Sequence, residues 1–267
     1  MKKWFALVLA TVLMMTVSLA AADTFRMGID ADYPPFSFRD ESGDFAGFDV
    51  DVCRKVCELN GWDLEIVPIN WDFKLNSLDA GEHDCIWSGM TILDTMKAAG
   101  YVLSAPYYDN TQVVLTREDT GIKTLADLAG KAVAVQLGTS GQALLEDEEG
   151  QLELAKTFAG GEPIKMENFN ICAAELAGNS VDAIVIDQPV AQKYVKQYEK
   201  YGFVILEETL GVEQYGICFR KGDEELCAKV EAALKTLVED GTYLEIAKLW
   251  ENEGIALDNL MMLNEAE

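Results

Sequence analysis

Residues 84–100 read DCIWSGMTILDTMKAAG. An apolar run, Cys85-Ile86-Trp87, ends in the small and hydroxyl residues Ser88-Gly89-Met90-Thr91 and leads to Asp94, which opens a short helical pattern, TMKAA. A strand that runs through small residues into a helix start is the basic unit of an α/β protein. It is also a common way to hold a polar or anionic ligand, because the first N–H groups of a helix are unpaired and that end carries partial positive charge. A ligand carboxylate there calls for a neighbouring cation, and the stretch offers Met96 and Lys97 at the relevant place.

Working outward, strand-like and helix-like runs alternate. FRMGID, LEIVPIN, DCIWSGM, TQVVLTRE, KAVAVQLG, DAIVIDQ and YGICFRKG read as strands. GFDVDVCRKVCELNG reads as an amphipathic helix with Val52, Val56 and Leu59 on one side and Gly61 at its end. FKLNSLDAG, SGQALLEDE, ENFNICAAELAGNS, PVAQKYVKQYEKYG, EELCAKVEAALKTLVEDG and TYLEIAKLWENEG read as further helices. This alternation predicts an α/β fold with mainly parallel sheets covered on both faces. Two sets of units are visible, 24–112 and 113–210, followed by a last strand and a helix pair that would return to the first set. The expected division is therefore 23–112 plus 211–267 as one lobe and 113–210 as the other, with two crossovers and a ligand cleft between them.

Lys2-Lys3, the apolar run WFALVLATVLMMTVSLA and the small residues Ala20-Ala21-Ala22 have the order of a secretory signal peptide, expected over 1–22. No cysteine lies near that cleavage point, so the expected product is exported, without a lipid anchor. The formal charge is −25, and losing the two lysines of the leader leaves −27. Such a surface repels nucleic acid and anionic membrane. The six cysteines show neither C-x-x-C nor His-paired metal spacing and read mostly as small buried apolar residues, with at most one pair bridged. The single histidine, His83, lies in the polar turn GEHD and reads as a surface residue. One histidine builds neither a zinc site nor a Ser-His-Asp triad, and no cofactor is expected.

Eight motifs in order carry a resemblance: DADYPPFSF (30–38), GFDVDV (47–52), SGMTI (88–92), SAPYYDN (104–110), LADLAGKAVAVQLGTSG (125–141), NSVDAIVIDQP (179–189), YGICFRKG (215–222) and DGTYLEIAKLW (240–250). Over residues 25–252 the chain resembles the periplasmic solute-binding proteins of polar amino-acid ABC transporters, of the glutamine-, histidine- or lysine/arginine-binding type. The resemblance implies a type II two-lobed binding-protein fold with two mainly parallel sheets. It implies cleft positions at Asp30, Tyr33 and Trp71, and a ligand head held by Gly89 and Thr91 with Ser88 adjacent. Thr139 and Ser140 would reach the α-carboxylate, Asp187 would take the α-ammonium, and Gln136 and Ile186 would set selectivity. Asp187, Thr139 and Ser140 also stand where helix N-caps stand, so capping is an alternative role for each.

The sequence departs from that family pattern at one place. An arginine after the Thr-Ile-Thr segment usually grips the α-carboxylate. Counting from Thr91 puts Met96 there, and counting back from SAPYY puts Lys97 there. Lys97 is the favoured of the two, as a point charge in place of a bidentate fork. The leading expectation is a monomeric, periplasmic receptor that closes on a small amino acid or related zwitterion and delivers it to a membrane ABC permease. The alternative is an enzyme resembling cyclohexadienyl dehydratase, with Asp30 or Asp187 as general acid. A sensor domain is a third reading, but up to Glu267 no membrane span or signalling domain follows.

Overall fold

The computed structural model describes residues 22–264, so the leader expected over 1–22 lies, except for Ala22, outside the described residues. In chain order the strands are β1 (Thr24–Ile29), β2 (Asp32–Tyr33), β3 (Ser37–Arg39), β4 (Phe45–Ala46), β5 (Asp63–Pro68) and β6 (Cys85–Thr91). They continue with β7 (Val102–Leu103), β8 (Tyr108–Arg117), β9 (Val133–Gln136), β10 (Ile164–Met166), β11 (Ala183–Asp187) and β12 (Phe203–Phe219).

The main sheet has nine strands in the order β10-β9-β11-β8-β12-β6-β1-β5, with β7 on β12. Each end is a parallel triplet: β5, β1 and β6 on one side, and β10, β9 and β11 on the other. The two sheets implied by the sequence are thus present as parallel halves, but they are not separate. The antiparallel pair β8 and β12 joins them into one hydrogen-bonded path. β12 is 17 residues long, so YGICFRKG is only its last part, and its register against β8 shifts on both sides of Thr209. Such irregularities bend a strand, which is how one strand serves two lobes. GEPIKM, which shows no clear strand pattern, contains the edge strand β10.

Strand β6 is buried at all seven positions, as expected for a strand flanked by β1 and β12 and covered on both faces. The helix Phe48–Asn60 buries Val52, Cys53, Val56 and Cys57 against the sheet and ends at Gly61, whose left-handed conformation (φ 68°) turns its N–H back onto the helix. Leu59, expected on the buried side, is 51% exposed, because the apolar face is centred on the adjacent pairs Val52-Cys53 and Val56-Cys57. All six cysteines are free and buried.

His83 corrects the sequence reading. It is fully buried, with Nδ1 3.0 Å from the Cys85 carbonyl oxygen and Nε2 2.9 Å from Ser77 Oγ. The ring lies against Gly28, where a Cβ would come within 2.6 Å of Nδ1. Burial pushes its pKa down. Its polar sequence neighbours hid a histidine whose two nitrogens are both satisfied inside the fold.

Candidate functional site

The carboxyl ends of β1, β6, β9 and β11 converge on a cavity of about 280 Å³. That is slightly below the usual range for small-molecule sites, roughly 300–1,000 Å³. Its walls come from both lobes. Gln136 Nε2 donates to Asp30 Oδ2 at 2.6 Å, while Asn168 and Asn170 donate to the two oxygens of Asp32 at 3.1 and 2.6 Å. Gly138 lies against the Trp71–Asp72 backbone so closely that a Cβ would fall 2.6 Å from Asp72 Cα. Residues that follow the two parallel halves of the sheet thus meet across this cavity.

Asp187 is the buried acid of this cavity. The β11–β8 register sets it opposite Gln112, and the β8–β12 register brings Glu213 opposite Asn110. Asp187 Oδ1 accepts from Asn110 Nδ2, Gln112 Nε2 and the Tyr215 hydroxyl, each at 2.7 Å. None of these bonds uses Oδ2, and Asp187 lines the cavity. Every donor is neutral, and Asp187 takes part in none of the ion pairs found among the described residues. Burial, reinforced by the charge of Glu213, pushes the carboxyl up to about 8. Asp187 does occupy the N-cap position of helix Gln188–Gln197, but its side chain caps no N–H there.

Tyr33, Trp71, Gly89, Thr91, Met96, Thr139 and Ser140 also line the cavity. Several are less free than their residue types suggest. The N–H of Gly89 is held at 2.8 Å by Asp49 Oδ2, which also accepts from Tyr107 at 2.7 Å. Gly89 therefore contributes shape: with φ at +54°, a Cβ there would strike Tyr33 at 2.5 Å. Thr139 caps its helix, accepting from Gln142 N at 3.2 Å and donating to Gln136 O at 2.8 Å. Ser140 Oγ accepts from Gln112 at 3.2 Å and keeps its own proton to donate.

Five of the expected site residues do not line the cavity. Asp30 is buried behind it, with its oxygens taken by Asp32 N at 2.9 Å and by Gln136. Burial raises its carboxyl to about 6, against the opposing pull of the Gln136 bond. Ser88 Oγ bonds Ser37 Oγ at 2.6 Å and accepts from Asp30 N at 3.1 Å, so Ser88 and Gln136 act as buried struts. Ile186 is likewise fully buried away from the cavity. Lys97 overturns the favoured register. Its side chain is 58% exposed and reaches only Asp94, at 3.5 Å. Met96 takes the inward position, packed with Leu78, Ile86, Met90 and Cys218. On the five-residue helix Asp94–Ala98 adjacent positions point apart, so only one of the two can face inward, and the apolar one does.

The cavity's cation comes from elsewhere. Lys74, the first residue of helix Lys74–Asp79, lines the cavity and donates to the carbonyl oxygens of Trp71 (3.2 Å) and Gly138. Its ammonium also lies 4.9 Å from the Trp71 ring centroid. Burial pushes its pKa down to about 8, against the upward pull of Asp72. The sequence carried one signal for it: Lys74 precedes the fully buried Leu78 by one helical turn and so shares its inward face. Asp72 and Glu146 line the rim, with Glu146 paired to Lys165 at 2.6 Å. Among the described residues no cluster of His, Cys, Asp or Glu is placed to hold a metal ion.

An acid, a cation and the aromatic rings of Tyr33 and Trp71 line one cavity, an arrangement that can hold a small dipolar molecule. The chain is 28% identical over 260 residues to the arginine-binding extracellular protein ArtP of Bacillus subtilis, covering 94% of this chain and 98% of that one. It is similar, at 30% identity and TM-score 0.81, to the structure of an ABC uptake transporter substrate-binding protein from Streptococcus pneumoniae with bound histidine, covering 88% and 94% of the two chains. It is also similar, at 34% identity and TM-score 0.74, to the ancestral amino acid-binding protein AncCDT-1, a precursor of cyclohexadienyl dehydratase, covering 85% and 95%. A profile of one family matches residues 25–253. The chain belongs to the bacterial extracellular solute-binding proteins, family 3.

Proposed function

We propose that this receptor binds a free α-amino acid with a polar or cationic side chain, holds its α-ammonium on Asp187, and presents it to an ABC permease as a monomer. The observation that carries the reading is Asp187 itself: a buried carboxylate surrounded by neutral donors and lining a cavity. A buried carboxylate without a cation is costly, and a ligand ammonium would relieve that cost and return the carboxyl to its charged form. Asp72 and Glu146 make the rim acidic, which favours a cationic side chain over an acidic one. A relative named for arginine and a neighbour solved with bound histidine are consistent with that class.

Lobe boundaries near 112/113 and 210/211 would place the hinge within β8 and β12, the strands that hold Asn110, Gln112, Glu213 and Tyr215 against Asp187. Opening would then loosen the grip on the ammonium and release the ligand. The protein is a receptor and not an enzyme, as its named relatives are binding proteins. An acid bound to a ligand ammonium is also a poor proton donor.

The test is calorimetry of the mature protein against the natural amino acids. One-to-one binding at micromolar affinity or better, about −8 kcal/mol, is expected for at least one polar or cationic member. No heat from any member of the panel would sink the amino-acid reading.

A further inference from the structure

We infer that Lys74 receives the ligand's carboxylate and latches the two lobes in the same contact, in place of a cation from the 94–98 helix. The inference rests on the amino-acid reading above.

Three observations lead to it. First, the neighbouring helix supplies no cation, since Lys97 faces solvent and Met96 fills the inward position. Second, Lys74 is the basic residue in the cavity wall, and none of the ion pairs found among the described residues involves it. Its ammonium carries three N–H donors. Two go to carbonyl oxygens, Trp71 O on its own lobe and Gly138 O on the other. Neither bond neutralises the charge, and one donor remains. Third, the cavity holds further free donors, among them the Thr91 hydroxyl, for which no bond is found among the described residues, and the Ser140 hydroxyl proton. A carboxylate reaching these groups meets a cation and two hydroxyls, which is enough to satisfy its lone pairs.

The Gly138 carbonyl gives the contact its second role. An ammonium bound to one carbonyl from each lobe exists in that form only when the lobes are closed. A ligand carboxylate would hold Lys74 charged and in place, favouring closure. A ligand without a carboxylate leaves the ammonium a partial set of neutral acceptors. Its pKa, already lowered to about 8 by burial, is consistent with a cation short of a charged partner.

The experiment pairs the tightest-binding natural amino acid from the panel with its decarboxylated amine, such as agmatine for L-arginine. Wild-type protein should prefer the amino acid by about 30-fold or more, the effect of a charged pair in a desolvated site. Lys74→Met should bring the two ligands within about 3-fold of each other by weakening the amino acid alone, with Lys74→Arg restoring part of the preference. Asp187→Asn should weaken both ligands together. Retained binding of the amine shows that the variant is folded, and Lys74→Gln serves as the second variant if Lys74→Met does not fold. An undiminished preference in the Lys74 variants overturns the inference and leaves the amino-acid reading standing, as does a wild type that binds amine and amino acid equally. Loss of both ligands from a folded Lys74 variant overturns it too. A wild type that binds no amino acid overturns both readings.

Discussion

Gln136 Nε2 lies 2.6 Å from Asp30 Oδ2, a buried hydrogen bond that joins the end of β9 to the residue after β1. In an open form the Asp30 oxygen would bond water instead, so the bond contributes to closure more than to folding. Gln136→Leu should therefore weaken ligand binding by about tenfold, the net worth of one such hydrogen bond, and leave the melting temperature nearly unchanged. Calorimetry and thermal unfolding on the same sample check both halves.

Gly138→Ala tests closure from the steric side. The new Cβ would sit 2.6 Å from Asp72 Cα on the opposite lobe, a backbone contact that no side-chain rotation relieves. The residue also stands at φ +72°, where alanine costs about 1–2 kcal/mol. A modest loss of stability is expected, together with a loss of affinity of at least 100-fold, roughly 2.7 kcal/mol. A variant that binds as well as the parent would show that the lobes do not need this contact.

Asp187→Asn should reduce affinity for the bound amino acid by about 30-fold or more, since truncating one side of a buried charge pair costs about 2–5 kcal/mol. Stability should not fall, because burying the ionised carboxylate works against folding. The same residue shapes the pH profile. Its folded pKa, about 8, lies above its ordinary value near 4, so the folded protein binds the extra proton and stability declines as pH rises between those values. Asp49, pushed up to about 7 by burial, acts in the same direction up to its own pKa. In urea titrations without ligand, the decline should be shallower in Asp187→Asn than in the parent and end at lower pH. The groups facing Asp187, namely Glu213, Tyr215, Tyr33, Asn110 and Gln112, are unchanged by that substitution.

The register of the 94–98 helix is tested by its two neighbours. Lys97→Met should leave affinity as it is, because the lysine reaches only exposed Asp94. Met96→Ala should cost about 2–5 kcal/mol of stability, since it empties a place in the cluster of Leu78, Ile86, Met90 and Cys218. Urea midpoints and calorimetry separate the two outcomes.

Most of the fold was legible because strand and helix periodicities are local, and β6 illustrates this with its apolar run and small-residue end. The joining of the halves was not legible, since β12 passes through LEETLGVEQ, a stretch whose long-range pairing with β8 no local pattern reveals. In the site, the motifs point to Asp187, Tyr33 and Trp71, and all three line the cavity. The states of their neighbours were not legible. Whether Gly89 offers its N–H depends on Asp49, forty residues away, and whether Asp30 faces the ligand depends on Gln136, 106 residues away. His83 shows that a polar sequence context is not a polar location. Lys74 carries only a weak local signal of its place in the cavity, because a charge on a short helix is ordinarily a solvated one.

The six free cysteines carry a consequence for how such a protein survives outside the cytoplasm. Burial holds Cys53, Cys85, Cys172, Cys218 and Cys227 well towards the neutral thiol, which is the unreactive form. An oxidising surrounding therefore meets reactive sulfur only in chains that have not yet folded, or have come apart. Folding becomes a race against covalent chemistry: a chain that packs its core first escapes mispairing, and one that lingers is trapped by it. The native state here acts as a protecting group for its own thiols, and the resistance of the protein to oxidation is set by how seldom it opens.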